Sequence, residues 1–382
     1  MRFLLFFLLI PFASMWSQTI EDLDFGTEGT LDIVTWNIEF FPKNDQTTLQ
    51  YVVEIIEAID ADIIAIQEVD DYFYFNDLID FLSEYDGYYQ SSNSRGLAYL
   101  YKSDIISINA AYELFIAPPE SDNFPRYPMV LDIDYYQERV VLINNHYKCC
   151  GDGELELDDD WDEETRRYNA NLLLKNYIDN EFTNTPVVLL GDLNDILTDV
   201  PEDNVFQNFL DDSSNYQFVD FEIATGPSSN FSYPSWPSHI DHILITKELF
   251  LPFMADGGGV ETIKIDEFLA GGFTEYDQNV SDHRPVGMRV VLPQILSAGD
   301  IEASLFVTAK NPMGDILTLY LNRLETELVV EIYTTLGRLV YRQKVQNPGE
   351  SLALNASQLS EGLFIAIITN ADHNRNIIKL KK

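Results

Sequence analysis

Cysteine is nearly missing from this chain: two in 382 residues, and those two, Cys149 and Cys150, are neighbours. A disulfide framework is thereby excluded, and a Cys-Cys pair lacks the ligand spacing of a structural zinc site. Adjacent cysteines can close only a strained ring, so the pair is either two free thiols or that ring. Positive charge is scarce as well, with 23 Lys+Arg against 63 Asp+Glu and a formal net charge of −40. An acidic surface keeps an exported protein soluble and repels polyanions such as DNA. A saline habitat would account for it without any functional role. Long apolar runs are missing too. The block Phe3 to Phe12 is half of the roughly twenty residues a membrane span needs. With Met1-Arg2 before it and small or polar residues after it to Ser17-Gln18, it predicts a secretory signal peptide over residues 1–17. The mature chain is expected to carry no transmembrane segment.

What is present is ample apolar content, 46% of the residues, in a chain longer than one ordinary domain. The charge is unevenly shared. From Asp300 to Lys382 there are 9 basic and 9 acidic residues, whereas residues 1–299 hold 14 basic and 54 acidic ones. Regions so different predict two domains, a body over residues 29–295 and a tail over 300–382.

In the body, short apolar stretches alternate with segments of helical spacing. Leu31 to Asn37, Asp62 to Ile66, Leu97 to Tyr101, Met129 to Ile133, Val140 to Ile143 and Pro186 to Leu190 read as strands. Leu49 to Ile59 and Arg166 to Ile178 show helical faces, and the aromatic-rich Tyr72 to Phe81 reads as a further helix packed on a sheet. The pattern predicts a mixed sheet covered by helices. Polar groups cluster where strands end: Asn37, Glu68, His146, Asp192 with Asn194, Asp241, and Asp282 with His283. Any one of these is an ordinary turn or cap residue. Yet four of the five histidines (His146, His239, His242, His283) fall in these segments. Oxygen-rich donors suit a hard cation, Mg²⁺ first, with Mn²⁺ or Ca²⁺ as alternatives. Histidine beside carboxylate suits proton transfer near neutral pH. Together they describe metal-assisted hydrolysis of a phosphoester.

The ordered set Trp36-Asn37, Gln67-Glu68-Val69, Asn144 to Lys148, Gly191 to Asn194, Ile240 to Leu244 and Ser281 to Val286 resembles the endonuclease/exonuclease/phosphatase superfamily. The resemblance covers about Thr30 to Leu292. It implies an α+β fold, a four-layer α/β/β/α sandwich with the site at one end. By motif, Glu68 would be the main metal ligand, helped by Asn37 and Asp282. Asp192 would position or deprotonate the attacking water, Asn194 would hold a phosphate oxygen, and His283, oriented by Asp241, would bind phosphate and move a proton. His146 stands where the nuclease and sphingomyelinase branches carry a second histidine. Arg95, Arg126 and Lys148 are the candidate phosphate contacts. Each could equally be neutralising or solvated charge. His239 and His242 are expected to pack or to support the site. The acidic run Asp152 to Glu164 reads as a charged helix start or a calcium-binding rim.

The tail alternates short strands with turns and predicts a small all-β sandwich following the body. Its order, Asn311-Pro312 to Asp315, then Val330 to Tyr341, then Leu354 to Ile368 and a basic tip, resembles the C-terminal sorting domain of type IX secretion in Bacteroidetes. That implies partnership with the secretion machinery and a secreted or cell-surface protein. For the whole chain the expected function is a secreted metal-dependent phosphodiesterase, an endonuclease acting on extracellular DNA or RNA. The alternatives are a phosphomonoesterase, a sphingomyelinase-like phospholipid phosphodiesterase, and a catalytically silent binding protein.

Overall fold

The computed structural model describes residues 19–27, 29–292 and, of the tail, 307–382 apart from 310–312, 322–324, 335–337, 350, 361 and 372–374. The signal-peptide segment, the domain boundaries at 295 and 300, and Asn311-Pro312 lie outside the described residues. By its internal contacts the chain divides into two compact units, residues 1–294 and 295–382.

Twelve strands of the first unit, β1 (Leu31–Phe41), β2 (Ile63–Val69), β3 (Tyr85–Tyr88), β4 (Gly96–Lys102), β5 (Ile106–Glu113), β6 (Met129–Tyr135), β7 (Glu138–His146), β8 (Val187–Asp192), β9 (Tyr216–Phe218), β10 (Asp241–Thr246), β11 (Gly259–Thr262) and β12 (Val286–Val290), build two six-stranded sheets. Their orders are β11-β12-β1-β2-β4-β3 and β5-β6-β7-β8-β10-β9. The neighbours β1–β2 and β7–β8 run parallel, and the other pairings are antiparallel.

The apolar runs are continuous because both faces of each sheet are buried. Side chains alternate between faces, so Leu31 and Ile33 of β1 and Val188 and Leu190 of β8 enter the core between the sheets. From the same strands Val34, Trp36 and Ile38 pack under one helical layer, and Val187 and Leu189 under the other. Helices α1 (Asp45–Ile59) and α2 (Tyr72–Phe81) cover the first sheet, and α3 (Glu163–Glu181) covers the second. Val52, Ile55, Ile56 and Ile59 form the buried face of α1. The result is the four-layer sandwich.

Two local readings change, and the helix-start reading of the acidic run is met. Strand β1 continues to Phe41, past Asn37, because a register shift between Asn37 and Phe41 carries the chain through the site. Helix α2 buries Phe75 and Leu78 but leaves Tyr72, Phe73 and Phe81 exposed, so only part of the aromatic patch is core. The end of the acidic run starts α3, with the Asp162 side chain accepting from the Thr165 N–H. In the tail, β13 (Val307–Ala309), β14 (Ile316–Leu321), β15 (Glu327–Thr334), β16 (Leu339–Gln346), β17 (Ser351–Asn355), β18 (Leu363–Asn370) and β19 (Arg375–Lys381) form a three-stranded and a four-stranded sheet. Alternate residues such as Leu317, Leu319, Val330, Ile332, Ala366 and Ile368 fill its core.

Candidate active site

Strand register assembles the centre of the site. His146 ends β7 opposite Asp192, which ends the parallel β8, and Asp241 opens the antiparallel β10 opposite Asp192 on its other side. Residues in register share a face, so three side chains distant in sequence stand in one row. Gly191 makes that row possible. Its φ is +144°, and a Cβ there would lie 1.9 Å from the Asn145 carbonyl oxygen.

The facing sheet supplies the other half. Asn37 Nδ2 donates to Asp192 Oδ2 at 3.0 Å, which ties β1 to β8. Further inside, Gln67 Nε2 donates to Asn144 Oδ1 at 2.7 Å, and Asn144 Nδ2 donates to the carbonyls of Ile66 and Ala98 at 2.9 and 3.1 Å. These amides fasten the two sheets just beneath the site. Glu68 has a left-handed φ of 66° at a bulge of β2, and Glu39 and Phe40 are left-handed as well. Such conformations cost about 1 kcal/mol or more each and cluster at functional sites. Here they bring the Phe40 N–H to Glu68 Oε2 at 3.1 Å and the Asp282 N–H to Glu39 Oε2 at 3.0 Å.

His283 is braced from three sides. Its Nδ1 donates to Asp241 Oδ2 at 2.8 Å, its N–H donates to Ser281 Oγ, and Ser281 Oγ in turn donates to the Asn37 carbonyl at 2.6 Å. The Tyr276 hydroxyl donates to the His283 carbonyl at 2.6 Å and accepts from Trp36 Nε1 at 3.0 Å. Arg284 clasps Asp266 with two hydrogen bonds. Trp36, Ser281 and Arg284 thus hold the catalytic candidates in place from outside the cleft.

The two site histidines differ electrostatically. Burial alone would lower the His283 pKa, but the carboxylates of Asp241 and Asp192 outweigh it and lift the group to about 10. His146 goes the other way, pushed well below its ordinary value by burial and then by the charges of Arg126, His283 and Arg95. His146 Nε2 lies 3.4 Å from Asp192 Oδ2 and 3.8 Å from Glu68 Oε1. Burial raises Asp192 to about 7 against the pull of His283, with Asp241 and Glu68 adding to the rise.

Glu39, Glu68, Asp192 and Asp282 line one cleft of about 730 Å³, with Asn37, Asn194, His146 and His283. Burial and the neighbouring Asp282 charge raise the pKa of Glu39, although Lys43 pairs with it. Such crowding of oxygen donors fits a hard divalent cation, with Glu68, Asn37 and Asp282 as the set that would hold it. Asp192, Asp241 and His283 also bring ligand atoms within 4.8 Å of one another, but Asp241 and His283 are already bonded to each other. His239, in the wall of the same cleft, and His242 gather around the buried Asp220. Its Oδ2 accepts from His239 Nε2 at 3.0 Å and from His242 Nδ1 at 2.6 Å, while His242 Nε2 donates to the Asp195 carbonyl.

Of the expected phosphate contacts, Arg95 stacks over the Phe40 ring at 4.1 Å, and Arg126 Nε donates to the Arg95 carbonyl. Lys148 is turned to Glu163 at 3.2 Å, and none of the three lines the cleft. Asn194 lies at the cleft with its N–H on Asp192 Oδ1. Glu39, Tyr276 and Asp220 were not legible as site residues in the sequence, nor was Tyr233, whose ring lies 4.8 Å from that of His283. The aromatic stretch Phe231 to Trp236 was the available signal. Phe231, Tyr233 and Trp236 line the cleft, and Trp236 is 79% exposed.

An oxygen-lined, histidine-bearing cleft at the end of two packed sheets defines a hydrolase of phosphoester bonds that works with a divalent metal. The chain belongs to the Endonuclease/Exonuclease/phosphatase family, whose pattern it matches over residues 34–283. Residues 311–380 match the secretion system C-terminal sorting domain, so the protein is one exported by the type IX route to the surface or beyond. Among solved structures, D. rerio TDP2 in complex with a single-strand DNA product is similar, with a TM-score of 0.51 at 12% identity over 69% of this chain and 99% of that one. An endonuclease/exonuclease/phosphatase from Bacteroides vulgatus gives 0.50 at 15% identity, covering 69% and 99%. At such identities the likeness is one of fold. No curated protein sequence matches the chain significantly. Among the described residues no helix is long and apolar enough to cross a membrane.

Proposed function

We propose that this exported hydrolase is a phosphodiesterase that cuts nucleic acid internally, with Mg²⁺ at Glu68, Asn37 and Asp282. The carrying observation is the pair of histidines flanking Asp192, with His146 Nε2 at 3.4 Å and His283 Nε2 at 3.9 Å from Asp192 Oδ2 and only His283 bonded to Asp241. Glu68, Asn37 and Asp282 would hold the cation, which would supply positive charge for the scissile phosphate. Asp192 orients the attacking water and takes its proton. His283, kept protonated and oriented by Asp241, contacts a phosphate oxygen and donates a proton to the departing alkoxide. Neutral His146 donates a hydrogen bond to the phosphate, and Asn194 holds a further oxygen. Arg95 and Arg126 meet the flanking phosphates. For Lys148 to join them it must first leave Glu163.

Two features favour a diester of nucleic acid. A diester carries one negative charge, whereas a monoester approaches two near neutral pH, and a cleft lined by seven carboxylates admits the former more readily. Tyr233 and Trp236 offer ring faces on which bases can stack. The test is to assay the full chain on plasmid DNA, RNA, sphingomyelin and a phosphomonoester, with Mg²⁺ and with chelator, using Asp192→Ala as the blank. Metal-dependent nicking of nucleic acid that is lost in the variant is the expected result. Turnover confined to the lipid or the monoester would overturn the nuclease reading, and turnover by Asp192→Ala would overturn the mechanism.

A further inference from the structure

The proposed chemistry makes no use of the Cys149–Cys150 pair. Both side chains are exposed thiols lining the same cleft as His146 and Asp192, and the two sulfurs lie 3.0 Å apart. The segment that carries them is firmly anchored. Tyr147, just before it, is fully buried, with its N–H on the Asp192 carbonyl and its hydroxyl on Asn171. Arg167, 2% exposed, donates Nη1 to the carbonyls of both Lys148 and Cys150 at 2.7 and 2.8 Å, bracketing Cys149. Nε of the same guanidinium holds Asp195, and Nη2 holds Glu164. The thiols are therefore presented by a braced rim three and four residues after the site histidine.

The chain contains no other cysteine, so a vicinal ring is the sole intramolecular disulfide open to it. The sorting tail sends the protein into compartments where disulfides form and persist. We infer that Cys149 and Cys150 are a reversible modification site, closing to a vicinal disulfide at the cleft rim after export and thereby changing how substrate enters. The partner is a small-molecule disulfide. One thiolate attacks it, forming a mixed disulfide and releasing one small thiolate; the second thiolate then attacks the linked cysteine sulfur and releases the other. One S–S bond breaks and one forms, the pair loses two electrons that the donor gains, and the two thiol protons pass to the two departing thiolates. Cα atoms across a trans peptide are about 3.8 Å apart, short of the roughly 4.4–6.8 Å that relaxed disulfides span. Such a ring is strained, and strained exposed disulfides belong to the readily reduced, regulatory kind rather than to structural staples.

The test takes the full chain recovered from the medium or cell surface and alkylates it with iodoacetamide, with and without prior dithiothreitol, before intact-mass measurement. The expected result is no alkylation and a mass lighter by the two thiol hydrogens, converting to double alkylation after reduction. Double alkylation without reductant, persisting after incubation with excess oxidised glutathione, would overturn the inference, and so would stable glutathione adducts in place of the ring. The mass readout is independent of the nuclease reading, so the two can fail separately. Whichever phosphoester substrate the protein turns over, KM should differ by about threefold or more between the oxidised and reduced protein. A Cys149→Ser/Cys150→Ser variant should lose that redox dependence. Equal KM values in the two states would overturn the link to substrate entry.

Discussion

The contrast between His146 and His283 shows what a single environment does to one side-chain type. Both are buried, with Asp192 within 4 Å of each, and burial pushes each toward the neutral form, but only His283 has Asp241 hydrogen-bonded to its ring nitrogen. The same competition operates at Asp62, among the loops at the N-terminal end of β2. Burial raises its pKa from 3.8 to about 7, with the Asp32 N–H and the Lys102 charge only partly opposing the rise. The folded state thus holds the proton more tightly than the unfolded chain. The resulting stability is complete below about pH 4, is lost as pH rises toward 7, and stays lost above it. Asp62→Asn never ionises but can still accept the Asp32 N–H. Its stability relative to the parent should therefore improve between pH 4 and pH 8 by roughly 4 kcal/mol, or about 8–16 °C in Tm. A difference in Tm that is the same at both pH values would refute the argument.

Among elements, the junction of β7 and β8 carries the greatest demand. His146 faces Asp192 only because Asn145 and Gly191 pass with no side chain between them. Gly191→Ala places a Cβ against backbone in a left-handed conformation and should cost at least about 3 kcal/mol in urea unfolding. Gly153→Ala is the matched control. Its φ of 86° is equally unfavourable, but nothing lies within 4 Å of the new Cβ, so the cost should stay near about 1 kcal/mol. Equal losses would mean that backbone conformation, not the close strand approach, governs the position. Strands β1, β2, β4, β6, β7 and β8 were legible as short apolar runs, and so were α1 and α3, whereas β3, β5, β9 and β11 were not. The bulges that turn Glu68 inward were not, because an added residue in one strand is defined only against its neighbour.

At the scale of the whole molecule, a net charge of −40 must be reconciled with a polyanionic substrate. A basic nuclease gains affinity by releasing counterions and weakens as salt rises. Here repulsion between the body and the substrate is screened by salt. KM for DNA or RNA should therefore fall as NaCl rises from about 50 to about 300 mM at fixed Mg²⁺, over a range where counterion release would raise it. A rising KM would show that the local field of Arg95 and Arg126 outweighs the global charge. The neutral tail contributes nothing to that charge, which fits a segment that serves export rather than catalysis.

The sequence by itself determined the strand and helix segments, the polar residues at strand ends, the oxygen-rich donor chemistry and the charge division between body and tail. Those features are local: period-2 and helical spacing, and residue type, are visible within a dozen positions. Only the tertiary structure decided which of those residues meet. Asn37 bonds to Asp192 across 155 positions, Trp36 steadies His283 through Tyr276, and Asp220 gathers His239 and His242. It also turned Lys148 toward Glu163 and set the two cysteines on the rim of the cleft. Such contacts arise from strand register and from the packing of two sheets face to face. A one-residue slip in register would send every one of these side chains to the opposite face, and no local pattern in the chain encodes that choice.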